Sequence, residues 1–62
     1  MNPAIPYHRR TAVVSVDYDP AHPGLVVIVD TCGMRGTMSI ERYEATCRPA
    51  PGARVLGVVV AA

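Results

Sequence analysis

The stretch TAVVSVDYDPAHPGLVVIVDT, residues 11–31, decides the class of this fold. Its first part alternates, with Ala12, Val14, Val16 and Tyr18 on one side and Val13, Ser15, Asp17 and Asp19 on the other. A period of two is the pattern of a half-buried strand, because successive side chains of a strand point to opposite faces. Asp19-Pro20-Ala21-His22-Pro23-Gly24 stops that strand, since proline lacks a donor and glycine adopts dihedrals closed to other residues. Leu25–Thr31 then runs apolar on both faces, as a central strand covered from two sides would. Together the two segments predict an antiparallel hairpin with a loop of about five or six residues.

Upstream, Met1–His8 holds Pro3 and Pro6 without periodicity, and residues 1–10 are expected to form an extended arm. Downstream, Cys32-Gly33-Met34-Arg35-Gly36 reads as a tight turn. Thr37–Ile40 fits a short strand with Met38 and Ile40 inward, leading into one or two helical turns over Ile40–Cys47. Ser39 stands where an N-cap belongs, with Glu41 and Glu44 near the positive end of the helix and Arg48 near its negative end. Ile40, Tyr43 and Cys47 share one helical face, and Pro49 should end the helix. Arg48–Gly52 then reads as a loop and Ala53–Ala61 as a final strand, apolar on both faces.

Composition agrees with a sheet. The 62 residues include ten valines and three isoleucines but two leucines and no Phe or Trp. β-Branched side chains lose rotamer freedom in helices and pack well on pleated surfaces. The expected architecture is therefore mainly β: a single domain over 1–62, built as a small antiparallel β-barrel, OB-like or SH3-like, of four to five short strands with one short helical turn. The longest apolar runs, Leu25–Val29 and Val58–Ala62, are far short of the ~20 residues that span a bilayer, so no membrane segment is expected. No basic-then-apolar leader opens the chain, which points to a cytoplasmic, reducing compartment.

From Gly24 onward the chain resembles the S-one RNA-binding domain, an OB-fold family. The resemblance is carried by Gly24-Leu25-Val26-Val27-Ile28-Val29, by Gly36-Thr37-Met38-Ser39-Ile40-Glu41 and by Pro51-Gly52-Ala53-Arg54-Val55-Leu56-Gly57-Val58-Val59-Val60. It covers roughly residues 24–60 and implies an OB-like topology and single-stranded RNA as a ligand. Where that family stacks bases on aromatic or histidine side chains, this chain carries Val26 and Ser39, and the family's final strand has no counterpart here.

Residues that carry chemistry are sparse. Cys32 and Cys47 lie fifteen positions apart and His8 and His22 fourteen, so no adjacent pair offers two ligands from one turn, and no metal or cofactor is expected. A Cys32–Cys47 disulfide would stabilise by about 3 kcal/mol through lost loop entropy, but two small half-buried thiols are the preferred reading. A Cys32 or Ser39 nucleophile would need a neighbouring histidine, and His22 stands at the far end of its strand. The chain is accordingly expected not to be an enzyme.

The arginines form the clearest surface signal. All six basic residues are arginine, against five acids, for a net charge of +1. Arg9, Arg10, Arg35, Arg42 and Arg48, with Tyr43, are the candidate binding residues for phosphate or an acidic protein. The plainer reading pairs them with Glu41, Glu44 and the aspartates in surface salt bridges. The first expectation for function is a small interaction module acting through a protein partner or as a homodimer, with Val55, Val58 and Val60 at the interface. The alternative is an OB-like nucleic-acid binder using the arginines.

Overall fold

The computed structural model describes residues 5–61. A single 3-10 turn at Tyr7–Arg9 precedes β1 (Thr11–Tyr18), β2 (Leu25–Asp30), β3 (Arg35–Ser39), α1 (Ile40–Thr46), β4 (Cys47–Val55) and β5 (Val58–Val59). The strands form one sheet in the order β3-β2-β1-β4-β5. The β1/β2, β2/β3 and β4/β5 pairs are antiparallel, while β1 and β4 run parallel. A parallel pair cannot be joined by a tight turn, so the chain crosses from the β3 edge to β4 through α1.

The mainly β class agrees with the sequence; the closed antiparallel barrel does not describe this sheet. The sheet is mixed and open, ending at β3 on one side and β5 on the other. The physical reason is the helix. Ile40 and Tyr43 of α1, with Met38 and Val55, pack on Val13, Val16, Val26, Ile28 and Cys47, covering one apolar face without closure. Ile40, Tyr43 and Cys47 do share the inward side, and Ser39 caps α1 by accepting a 3.1 Å hydrogen bond from the Arg42 N–H.

Two segments depart from their expected form. In β1 the pairing slips between Val13, opposite Asp30, and Ser15, opposite Val29, which makes Val14 the extra residue of a β-bulge. The bulge lets Val13 and Val16 both face α1 and leaves Val14 exposed, so the simple alternation from Ala12 to Tyr18 breaks in the middle. At the other end, the expected Ala53–Ala61 strand is a hairpin. Leu56 and Gly57, with φ of 51° and 86°, form its two-residue turn, and the mirror-image turns that suit tight hairpins demand such positive φ values. The Arg48–Gly52 loop is instead part of β4, although the β4 ladder on β1 jumps from Pro49 to Arg54. Pro49 and Pro51 have no N–H to give a ladder, which suits a strand broken at that point.

Residues 1–4 of the expected arm lie outside the described residues. The rest of the arm is anchored. The Arg10 guanidinium donates from Nε to the Ile5 carbonyl at 2.9 Å and from Nη1 to the Glu44 carbonyl of α1 at 2.9 Å, and lies 5.5 Å over the Tyr7 ring.

Candidate interaction surfaces

The sheet has two faces, and α1 covers one. On the other, the register sets side chains next to one another across the strands. Arg35 on β3, Val29 on β2, Ser15 on β1, Arg54 on β4 and Val59 on β5 form one row. Thr37, Val27 and Asp17 form the next, Ser39 and Leu25 a third, and Ala12 beside Arg48 closes the opposite end. Leu25, Val27 and Val29 are only half-buried there, so β2 is not covered on both sides as its sequence suggests. A central apolar strip on β2 thus has arginines to either side.

Among the described residues the one close contact between a basic and an acidic side chain joins His22 to Asp19, at 3.1 Å between Nδ1 and Oδ2. The expected salt bridges to Glu41 and Glu44 are absent from that set. Hydrogen bonds from the Ala21 N–H and from His22 hold the Asp19 carboxyl below the usual carboxylate range. On the open face three arginines, Arg35, Arg48 and Arg54, meet one carboxylate, Asp17, whose Oδ2 accepts from the Ser15 hydroxyl at 3.1 Å. Among the described residues Arg48 Nε is buried with no hydrogen-bond partner, so part of its desolvation is uncompensated there.

The candidate binding residues do not converge on one patch. Arg35 and Arg48 belong to the open face. Arg42 and Tyr43 ride on α1, and Arg10 is spent on the carbonyls that fix the arm, with Arg9 beside it on the 3-10 turn. Tyr43 packs on the core, and that burial, more than the nearby Cys47, Tyr7 and Glu44, pushes its phenol above the ordinary range. Arg54 escaped the sequence reading because its partner was invisible: the parallel β1/β4 pairing that places it beside Ser15 has no local signal.

The second exposed feature is the β5 edge. Val58 and Val59 are 67% and 65% exposed. The Val60 N–H donates to the Ala53 carbonyl at 2.8 Å and the Gly52 N–H to the Val60 carbonyl at 3.1 Å. Antiparallel ladders alternate inward and outward backbone groups, so the N–H and C=O of Val59 point away from β4. Val60 and Val55 are partly shielded, which places Val58 and Val59 at the exposed rim of the expected Val55–Val60 surface.

The two thiols stay apart. Cys32 is free and exposed in the β2–β3 turn; Cys47 is free and buried where β4 opens, its Sγ 3.9 Å from Met38 Sδ. No Cys32–Cys47 disulfide joins them, because β1 stands between the strands that carry the turn and Cys47. Strands flanking a common neighbour are about 10 Å apart, beyond the ~7 Å Cα separation a disulfide tolerates. His22 sits at the opposite end of β2 from Cys32, and among the described residues no three His, Cys, Asp or Glu side chains gather as a metal site would need. No helix among the described residues is long and apolar enough to cross a membrane.

No family model matches the chain, and no curated protein or solved structure matches it.

Proposed function

We propose that this protein is a non-enzymatic interaction module that acts by self-association, pairing its β5 edge with that of a second copy. The observation that carries the reading is the edge itself: two adjacent valines about two-thirds exposed, with the N–H and C=O of Val59 facing away from β4. Natural sheets blunt a free edge with lysine, proline or inward charge. The opposite edge, β3, carries Arg35; beyond Arg54 the β5 side carries no charged side chain and no proline. Two β5 strands related by a two-fold axis would extend the sheet across both copies and cover Val58 and Val59. Light scattering over a micromolar concentration series tests this. The expected result is a mass rising toward twice the 6.6 kDa of the chain, with Val59→Pro remaining monomeric. A wild-type mass that stays at that of one chain throughout contradicts it.

A second reading, single-stranded nucleic acid held by the arginines, is supported by the resemblance of residues 24–60 to the S-one family and by guanidiniums that no carboxylate pairs with among the described residues. Less favourable to it, Val26 is buried in the core and Ser39 caps α1, so neither offers a platform on which bases stack. Fluorescence anisotropy with a labelled RNA oligonucleotide at low salt decides it: binding that weakens steeply as salt rises supports the reading, and no binding removes it.

A further inference from the structure

The open sheet face has a shape and a charge pattern that the edge does not use. Its centre is the β2 strip Leu25, Val27 and Val29, all half-buried with only the sheet beneath them. Arg35 on β3 and Arg54 on β4 stand in the same row on either side of that strip. They are separated by three strand spacings, about 14 Å at ~4.8 Å each. An α-helix with its side chains is about 10–12 Å across. A helix lying along β1 and β2 would therefore fit between the two guanidiniums, its apolar stripe on the β2 strip and its flanks within their reach. This repeats on the second face the packing that α1 makes on the first.

From this placement we propose that the open face docks an acidic amphipathic helix of a protein partner. The inference rests on the interaction-module reading but not on β5 pairing. Charge selects the sign of the partner: the register gives this face three arginines against Asp17, an excess of +2 by subtraction. A second copy presenting the same face would bring like charge to like, which disfavours face-to-face self-association. Nucleic acid carries the right sign, yet the strip presents aliphatic side chains that suit a leucine-lined helix better than a stacked base. Arginine is suited to carboxylates on both flanks because its fork of N–H donors can bond both oxygens of one carboxylate at once.

The test uses the full chain labelled with nitrogen-15 and three probes. The first is a synthetic helical peptide of about 18 residues with leucines at i, i+3, i+4 and i+7 and glutamates beside them. The second replaces its glutamates with lysines, and the third is single-stranded oligouridine. Addition of the glutamate peptide should shift the amides of Leu25, Val27 and Val29, and the lysine peptide should bind about tenfold more weakly or not at all. In the double variant Arg35→Glu, Arg54→Glu the preference should reverse, which also shows that the variant is folded. No shifts with the glutamate peptide at millimolar concentration, equal binding of both peptides, or tighter binding of oligouridine would each overturn the proposal. Light scattering on the same samples keeps the two readings apart: a monomer that binds the glutamate peptide contradicts β5 pairing alone, and a dimer that ignores it contradicts helix docking alone.

Discussion

Leu56 is the one non-glycine among the described residues with positive φ, at 51°, and its N–H donates to the Val16 carbonyl at 2.8 Å. The left-handed region costs an L-residue about 1–2 kcal/mol, because Cβ crowds the following carbonyl. Asparagine tolerates it better and is favoured with glycine in this kind of turn. Leu56→Asn keeps the backbone donor and should raise stability by about 1 kcal/mol, read as a higher urea midpoint at unchanged slope; a lower midpoint would show that the leucine packs more than it strains. Nothing about Leu56 marks a turn in sequence. Gly57 does, but it lies inside an apolar run that reads as continuous strand. Tyr43 makes a different residue-scale prediction. Burial raises its folded-state pKa above the unfolded value near 10. The folded state then holds the proton more tightly, so its contribution is intact below about pH 10 and is lost as pH rises through the folded value. Tyr43→Phe should flatten the fall in stability above that pH, whereas an unchanged alkaline limb would assign the loss to other groups.

Between residues and the molecule stand the elements, of which α1 is the most dependent on a single cap. Seven residues are too few for an isolated helix to persist in water, so α1 relies on Ser39 at its start and on Ile40 and Tyr43 against the sheet. Ser39→Ala should cost about 1 kcal/mol in chemical denaturation, with Ser39→Asp close to wild type. Equal losses in both would mean that the hydroxyl acts through something other than the Arg42 N–H. This element was legible in sequence because its signals are local: a capping serine, an acid in the first turn and a three-four spacing of apolar residues. The β1–β2 hairpin was legible for the same reason, down to the six residues from Asp19 to Gly24 that connect its strands. The β1 bulge was not. Ala12 to Val16 offers apolar residues at both parities, and only α1, which covers Val13 and Val16 together, decides which of them turn inward.

At the scale of the whole molecule, non-local pairing governs what a sequence can reveal. A valine-rich chain with apolar residues on both strand faces must cover them, and barrel closure, a helix layer and a second molecule are the three ways to do so. The helix layer covers one face. The other, with its apolar strip between Arg35 and Arg54, became visible only once the parallel β1/β4 register was known. The six side chains buried among the described residues, Val13, Val16, Val26, Ile28, Cys47 and Ala53, form a core small enough that gaining a partner should add to stability as well as to function.

Self-association through β5 would change the surroundings of the Val59 amide more than those of any core amide. In an isolated chain that N–H faces away from β4 and should exchange with solvent at close to the rate of an unprotected amide. Paired with a second β5, it becomes a ladder donor. Hydrogen exchange followed at this single amide, at high and low protein concentration, should show protection that grows with concentration while the amides of Val16 and Val26 stay protected throughout. Rapid Val59 exchange at every concentration, with that core protection intact, would contradict β5 pairing.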